Sequence, residues 1–186
     1  KESIVAANLR EVLKASFRAR DLVEQILIFS RHTIKEDLPV ALDQIVREVV
    51  KQAQPQVPAD VNVELNLGEE SQWIMADSSK IHQMLMNFLI NAFHATSENK
   101  GKVSISVKPL LSETEISGVD RSIPPGDYVH LRVADTGYGM SPDVRARIFE
   151  PFFTTKRGGE GTGLGLSIIH GVVADHGGVI AVSSEL

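Results

Sequence analysis

The sequence contains no cysteine, which excludes disulfide bonds, thiolate metal sites and a cysteine nucleophile. It also lacks an uninterrupted apolar run near the ~20 residues that cross a bilayer, and no charged and apolar leader opens the chain. These absences favour a cytoplasmic location. The net charge of −5 provides no general basic surface, so we expect no nucleic-acid partner. An anionic nucleotide would need local donors, a metal ion and helix dipoles.

The first 31 residues carry a long apolar stripe and contain neither proline nor glycine, which predicts one long helix. The stripe follows a three-and-four spacing and consists of Leu9, Val12, Ser16, Ala19, Val23, Ile26 and Ser30. A helix of this length does not bury its stripe alone. It packs either on its own domain or against other helices in a bundle or a dimer interface. We favour the bundle or dimer interface, because no later helix has a similar length.

Shorter patterns of helix and strand period follow a break at Leu38–Pro39. Helices are predicted over the apolar residues of 42–50 and 81–92, and again after the glycine-rich stretch. Strands are predicted at Val61–Leu67, Trp73–Ala76, Lys102–Lys108, Tyr128–Ala134 and Val179–Ser183. Residues 111–127 are predicted to be a hairpin loop. Adjacent strands with short connections predict antiparallel pairing with helices over one face, which is an α+β fold of the two-layer sandwich type.

Residues 158–167 hold five glycines and run directly into an apolar segment that suits a helix. Glycine costs backbone entropy, so such a concentration needs a physical reason. One reason is a loop whose N–H groups approach a phosphate at a helix N-terminus. The alternative is a flexible surface lid. The phosphate interpretation therefore depends on whether the chain also supplies a base pocket and a metal ligand.

A carboxylate with two nearby glycines follows the strongest predicted strand, in the segment Asp135–Met140. Asp135 can accept a hydrogen bond from an exocyclic amine such as adenine N6. Gly137 and Gly139 would let a flat ring lie close to the backbone. The alternative for this segment is an Asx-type turn that holds no ligand.

Two asparagines, Asn87 and Asn91, lie one turn apart on a helix whose other residues favour the core. Buried amides need partners, so this pair either contacts Mg²⁺ and phosphate oxygens or bonds to a neighbouring loop. Before the glycines, Thr154, Thr155 and Lys156 suit a triphosphate tail. No GxxxxGK[ST] motif occurs, and the glycine spacing does not match a dinucleotide fingerprint.

Four segments in fixed order resemble the motifs of the ATP-binding catalytic domain of sensor histidine kinases, within the GHKL ATPase superfamily. They are Gln83–Ala92 for the N box, Asp135–Met140 for the first glycine box, Ile148–Lys156 for the phenylalanine box and Gly159–Leu166 for the second glycine box. The Pro-Phe-Phe-Thr-Thr-Lys form is similar to the nitrogen-regulation and hybrid subgroups. The resemblance covers residues 38–186 and implies a Bergerat-type ATP-binding fold with its last strand truncated.

The resemblance implies ATP and Mg²⁺ as ligands and assigns a set of residues to them. These residues are Asn87, Asn91, Asp135, Gly137, Gly139, Met140, Lys156, Gly161, Thr162, Gly163, Leu164 and Gly165. Asn91 is implied as the Mg²⁺ ligand, and Asn87 and Lys156 are implied as catalytic residues near the phosphates. Asp135 would bind adenine N6. Hydrolytic members carry a glutamate base where this chain has Asn87, and an amide cannot abstract a proton, so transfer to histidine fits better than hydrolysis.

Residues 1–34 are similar to the second helix of a dimerisation and histidine-phosphotransfer hairpin, through Arg18–Val23 and Ile26–Arg31. The acceptor helix is absent from this sequence, because none of its six histidines is followed by Asp or Glu. The resemblance therefore implies a piece of a longer kinase, whose partners are ATP, the acceptor histidine helix of the parent and a response regulator. The parent is expected to be a homodimer that can be membrane-anchored. This chain alone is expected to dimerise weakly or to be a monomer.

The resulting prediction is an ATP-binding catalytic domain that transfers the γ-phosphoryl group of Mg²⁺-ATP to a histidine outside this chain. Two other functions stay open at this point. The missing acceptor helix is compatible with a nucleotide-sensing or dimerisation module that has no phosphotransfer of its own. A GHKL-type ATP hydrolase is disfavoured by Asn87.

Overall fold

The computed structural model describes residues 37–96, 100–156 and 161–186, so the predicted N-terminal helix of residues 1–34 lies outside it. The helices and strands in chain order are β1 (Leu38–Ala41), α1 (Leu42–Ala53), a 3₁₀ turn (Gln54–Gln56), β2 (Val61–Leu67), β3 (Trp73–Ala76), α2 (Ser78–Thr96), β4 (Gly101–Ser112), β5 (Ile116–Ser117), β6 (Ser122–Ile123), β7 (Gly126–Asp135), α3 (Pro142–Arg145) and α4 (Gly165–Asp175). Among the described residues, no helix combines the length and apolarity needed to cross a membrane.

The main sheet has the strand order β2-β4-β7, with β2 parallel to β4 and β4 antiparallel to β7. The expected antiparallel pairing of neighbouring strands is correct for β4 and β7. It is wrong for β2 and β3, because β3 pairs instead with β1 in a separate two-stranded sheet. The sequence indicated only a break at the position of β1, since Leu38–Ala41 is too short to show alternation and contains a proline. Pro39 has no N–H to donate and is tolerated here in a short edge strand.

The helices α1, α2 and α4 pack over one face of the main sheet, and this two-layer arrangement confirms the α+β sandwich. The largest fully buried side chains come from all three helices and from β4. They are Val46, Val49, Leu85, Leu89, Val103, Ile105, Val107, Ile169 and Thr96. Burying one such apolar side chain contributes about 1.5–3 kcal/mol relative to an exposed position. Helix α2 lies at the centre, in contact with α1, α4, β4 and β7.

Helix α2 begins at the polar run Asp77, Ser78 and Ser79, whose short side chains are typical of a helix N-cap. The side chain of Asp77 accepts a hydrogen bond from the Ser79 N–H at 2.8 Å, and its carbonyl accepts one from the Ile81 N–H at 3.1 Å. Asp77 is therefore the N-cap, and its negative charge lies at the positive end of the helix dipole. This cap fixes the start of the helix that carries both motif asparagines.

Helix α4 ends in a Schellman motif, which the sequence analysis did not identify. Gly177 has a left-handed φ of +65°. Its N–H donates to the Ala174 carbonyl at 3.1 Å, and the Gly178 N–H donates to the Val173 carbonyl at 2.9 Å. These two bonds satisfy carbonyls that the helix end would otherwise leave without partners. The motif turns the chain away from the helix axis directly after α4.

The predicted strand at Val179–Ser183 is wrong, because residues 178–186 join no strand ladder among the described residues. A ladder requires repeated bonds along both strands. Here the Ile180 carbonyl accepts a single hydrogen bond from the Val119 N–H at 2.9 Å. The apolar alternation of the segment reflects packing, since Ile180 contacts the core while the chain lies beside the β5–β6 turn.

The stretch of residues 111–127 is more ordered than the predicted loop. Strands β4 and β7 continue their ladder until Ser112 lies opposite Gly126, and β5 then pairs with β6 beyond this point. The turn between β5 and β6 is closed by the Gly118 N–H, which donates to the Arg121 carbonyl at 2.8 Å. We call residues 112–126 the hairpin arm.

Replacing Gly171 by alanine is expected to stabilise the protein by about 0.5–1 kcal/mol, because an alanine inside a helix loses less backbone entropy on folding. Gly171 lies inside α4, and a Cβ there would meet no atom of the described residues within 4 Å apart from its own helix backbone. Gly177→Ala is expected to destabilise the protein by about 1 kcal/mol, since its φ is left-handed. Chemical denaturation measures both changes in the free energy of unfolding. Shifts of the same sign for the two variants would contradict this account.

Candidate nucleotide site

The N-terminus of α4 lies against the two motif asparagines of α2. A Cβ built on Gly165, the first residue of α4, would lie 3.6 Å from Asn91 Nδ2 and 3.7 Å from Asn87 Oδ1. No side chain caps this end of α4 among the described residues. The first N–H groups of the helix and the positive end of its dipole therefore face the asparagines, an arrangement that favours an anion between them.

The amide of Asn87 has an unsatisfied donor. Its Nδ2 atom is buried and has no hydrogen-bond partner among the described residues. Such an orphaned donor costs about 1–3 kcal/mol, so a native structure keeps one where it has a purpose or where a ligand completes it. A phosphate oxygen is an acceptor of the required kind. The local geometry thus fits an anionic ligand at Asn87.

The oxygen of Asn91 already faces a cation. Lys156 Nζ donates to Asn91 Oδ1 at 3.5 Å, which joins the end of the segment Ile148–Lys156 to α2. An amide oxygen is also a ligand that Mg²⁺ accepts. No cluster of three or more His, Cys, Asp or Glu side chains suited to a metal occurs in the described part of the chain. A Mg²⁺ ion at Asn91 would therefore depend on phosphate oxygens and water for its other ligands.

The carboxylate of Asp135 lies exposed at the end of β7, in a turn held by three hydrogen bonds. Asp135 Oδ1 accepts from the Gly137 N–H at 2.9 Å, which is the Asx turn considered from the sequence. Thr136 and Lys102 exchange two bonds, from the Thr136 N–H to the Lys102 carbonyl at 3.1 Å and from the Lys102 N–H to Thr136 Oγ1 at 2.9 Å. The turn therefore fixes the carboxylate without burying it.

The glycines beside Asp135 are explained first by the protein backbone. A Cβ on Gly137 would come within 2.5 Å of the Ala95 carbonyl oxygen, so only glycine allows this turn to touch the end of α2. Gly139 has a left-handed φ of +67°, and a Cβ there would overlap the backbone of Glu185. Met140 is half-buried. The sequence proposed that these glycines make room for a flat ring, whereas their first role is close backbone packing.

The described part of the glycine loop packs directly on the segment before it. A Cβ on Gly161 would lie 2.7 Å from Thr154 Oγ1, and one on Gly163 would lie 2.3 Å from the carbonyl carbon of Phe152. Gly163 has a φ of +68°, and Phe152 itself has a φ of 66°, which is unusual for a residue with a side chain. Thr162 Oγ1 accepts from the Leu164 N–H at 3.4 Å. Residues 157–160 lie outside the described structure.

Helix α2 connects the two halves of the predicted site. Asn87, Asn91 and Ala95 follow one another at intervals of one turn, so about 6 Å separates neighbours along the helix axis. The residues predicted to bind phosphate lie together, since Lys156 and Gly165 are next to Asn87 and Asn91. The Asp135 turn meets the helix at Ala95, where the Tyr138 N–H donates to the Ala95 carbonyl at 3.3 Å. The structure therefore places the predicted base-binding and phosphate-binding residues along one face of a single helix.

One cluster near the site was missed from the sequence. His170 lies on α4 with its Nε2 3.0 Å from Asp120 Oδ2 of the hairpin arm. Its ring also packs at 5.2 Å from the ring of Phe149. No spacing rule connects residues so far apart in the chain, and Asp120 fell within the segment predicted to be a loop.

A separate open depression of about 590 Å³ lies at one end of the main sheet. It is lined by Ala59, Asp60, Val61, Asn62, Lys100, Gly101, Lys102 and Thr136. Thr136 links it to the Asp135 turn, but neither motif asparagine lines it. It is therefore distinct from the cleft between α2 and α4.

Comparison with known proteins agrees with this geometry. Residues 76–186 match the family described as histidine kinase-, DNA gyrase B- and HSP90-like ATPase. The sensor kinase CckA of Brucella abortus (strain 2308) is 34% identical over 169 residues, which are 91% of this chain and 18% of CckA. The sensory histidine kinase/phosphatase NtrB of Azospirillum brasilense is 30% identical over 169 residues, 88% of this chain and 40% of NtrB. The chain thus spans less than half the length of these relatives.

The alignment with one solved structure of similar fold covers the whole chain. The crystal structure of full-length ShkA in complex with AMPPNP has a TM-score of 0.72 and 29% identity. The match covers 100% of this chain and 37% of the ShkA chain. A fold similar to the described one therefore occurs within a larger protein.

Proposed function

Because the chain belongs to the family of histidine kinase-, DNA gyrase B- and HSP90-like ATPases, we propose that its cleft between α2 and α4 binds Mg²⁺-ATP and presents the γ-phosphoryl group to a histidine outside this chain. The observation that carries this proposal is the meeting of Asn87, Asn91 and Lys156 with the uncapped N-terminus of α4. These groups supply N–H donors, one oxygen ligand and one cation. Together they suit the phosphates of a nucleotide.

Each group has a separate role in this proposal. Asn87 Nδ2 donates to a phosphate oxygen, which satisfies the buried donor. Asn91 Oδ1 holds Mg²⁺, which neutralises the charge that develops on the phosphates. Since a divalent cation and an ammonium group repel one another, Lys156 would leave Asn91 Oδ1 and turn to the terminal phosphates. The N–H groups of Gly165 and its neighbours complete the cradle, and Gly161–Leu164 lie over it.

Phosphotransfer fits these residues better than hydrolysis. Phosphoryl transfer needs mainly positioning and charge stabilisation, which amides, a lysine and a helix N-terminus provide. Activation of water needs a base, and the amide of Asn87 cannot accept a proton. The acceptor in this proposal is a histidine of the parent kinase, the next recipient is a response regulator, and the parent works as a homodimer with this domain in the cytoplasm.

The base is proposed to lie at the Asp135 turn, with its amine donating to the exposed carboxylate. Gly137, Gly139 and Met140 form the neighbouring wall. The distance along α2 between Ala95 and Asn87 is about 12 Å, which suits a ligand with a ring at one end and phosphates at the other.

Replacing Asp135 by asparagine is expected to weaken AMPPNP binding by about 10- to 100-fold. The asparagine oxygen still accepts from the Gly137 N–H and preserves the turn, but the lost charge weakens the bond to the adenine amine by about 1.5–3 kcal/mol. Isothermal titration in the presence of Mg²⁺ measures this change. Asp127→Asn, an exposed carboxylate on the same strand, serves as the matched control. Equal affinities for all three proteins would exclude Asp135 from the base site.

Phosphotransfer itself is tested with γ-labelled ATP and a separately expressed acceptor hairpin of the parent kinase. Label on histidine is expected. Steady phosphate release without histidine label would favour an ATP hydrolase. Nucleotide binding with neither outcome would favour a sensing or dimerisation module.

A further inference from the structure

The turn of the hairpin arm is attached to the middle of α4 by a contact between a carboxylate and an imidazole. Asp120 Oδ2 lies 3.0 Å from Nε2 of His170, and the two side chains are 46% and 31% exposed. Both partners lie outside the motif segments, and the arm contributes no residue to the proposed nucleotide site. An exposed pair of this kind contributes little to overall stability. What matters for the site is where the pair holds α4, rather than how much the pair contributes to the free energy of folding.

The same histidine reaches the segment on the other side of the glycine loop. Its ring centroid lies 5.2 Å from that of Phe149, with the ring planes tilted by 40°. Phe149 belongs to the segment that ends at Lys156, whereas His170 belongs to the helix that begins at Gly165. His170 therefore connects the two segments that flank the glycine loop.

A second contact attaches the hairpin arm beyond the end of α4. The Val119 N–H donates to the Ile180 carbonyl at 2.9 Å, and a Cβ on Gly118 would lie only 2.7 Å from the Cβ of Val179. The arm thus touches α4 at its middle through Asp120 and the chain just after it through Val119. One contact on the helix and one on the chain that follows its C-terminal turn thus attach the arm to both sides of this turn.

We propose that His170 is a positioning residue for the ATP site, which it supports through Asp120 and Phe149. His170 lies five residues, or about 7.5 Å, along α4 from Gly165. A helix moves as a unit, so fixing His170 against the arm and against Phe149 fixes the N-terminus of α4 opposite Asn87. The contact with Phe149 also keeps the segment of Lys156 in register with α4. This inference rests on the proposed ATP site.

The test is a double-mutant cycle on AMPPNP affinity, measured by isothermal titration with Mg²⁺. His170→Ala and Asp120→Ala are each expected to weaken binding by about 3- to 10-fold, as loss of a partly exposed side-chain pair and a ring contact implies. The double variant is expected to bind no more weakly than His170→Ala alone, because the partners act through one contact. His170→Gln keeps a donor for Asp120 and is expected to restore part of the affinity.

A matched control is available on the same helix. Lys80 Nζ and Asp175 Oδ2 form an exposed ion pair at 3.1 Å, which joins α2 to the last residue of α4 without involving the arm or Phe149. Asp175→Ala is expected to leave AMPPNP affinity within twofold of the wild type. A general loosening of α4 would lower affinity in this control as well, and that result would overturn the positioning role.

The remaining outcomes separate this inference from the proposed function. Strong AMPPNP binding by the wild type with unchanged binding by His170→Ala would overturn the inference alone. Additive losses in the double variant would also overturn it, because the two residues would then act independently. Absence of Mg²⁺-dependent binding in the folded wild type would overturn both proposals. Circular dichroism of each variant confirms that loss of affinity is not loss of fold.

Discussion

Asn91→Ala is expected to abolish Mg²⁺-dependent tightening of ATP binding and to lower phosphotransfer by about 100-fold or more. A bound metal contributes several kcal/mol of charge stabilisation to a phosphoryl group, and about 2.7 kcal/mol corresponds to a 100-fold change in rate. Asn91 Oδ1 accepts a hydrogen bond from Lys156 Nζ, and Nδ2 of the same amide lies beside Gly165 at the N-terminus of α4. Titration of AMPPNP with and without Mg²⁺ measures the first effect, and transfer of γ-label to the acceptor hairpin measures the second.

The control for this substitution is Asn66→Ala, which removes an exposed amide from β2 on the main sheet. It is expected to leave both readouts unchanged. If Asn91→Ala retained the full effect of Mg²⁺ on affinity, the metal would have to be held elsewhere. The proposed hydrogen bond from Asn87 to a phosphate oxygen would survive that result, because it depends on a different atom of a different side chain.

Gly163→Ala is expected to weaken nucleotide binding by at least about tenfold while the core stays folded. The left-handed φ of +68° costs a residue with a Cβ about 1–2 kcal/mol. The added carbon would also lie 2.3 Å from the carbonyl carbon of Phe152, so the loop and the phenylalanine segment would have to separate. A tenfold loss of affinity corresponds to only about 1.4 kcal/mol. AMPPNP titration and circular dichroism report affinity and fold separately.

Gly171→Ala provides the comparison on the adjacent helix, since it adds the same methyl group where, in the described part of the chain, no atom outside the backbone of α4 lies within 4 Å. This variant is expected to bind AMPPNP as the wild type does. Similar losses of affinity in both variants would attribute the effect to α4 in general. Wild-type affinity in Gly163→Ala would show that the packing of the loop on Phe152 is dispensable.

The helical part of the site could be predicted from the sequence, because helix geometry converts spacing into direction. Asn87 and Asn91 were placed on one side of a helix, and the structure puts both opposite Gly165. The cap at Asp77 could also be predicted, since short polar side chains before an apolar periodic run are typical of a helix start. The roles of these residues toward ATP stay proposals.

Contacts between distant segments could not be predicted from the sequence, since no local pattern encodes them. The parallel pairing of β2 with β4 and the short strand β1 follow from packing across the whole domain. The pair of His170 and Asp120 could not be predicted, because exposed polar side chains follow no fixed spacing. The glycines of the Asp135 turn accommodate backbone that is distant in the chain, Gly137 the Ala95 carbonyl and Gly139 the backbone of Glu185.

The parallel register of β2 and β4 also affects the kinetics of folding. Val61 lies beside Gly101, and the chain between these two strands contains β3 and all of α2. Such distant pairing forms slowly, since a long loop must close before its contacts stabilise it. The asparagines of α2 meet Gly165 only when α4 has docked on α2. During synthesis, the capacity to hold a nucleotide arises at the end of folding, when nearly the whole described chain is available.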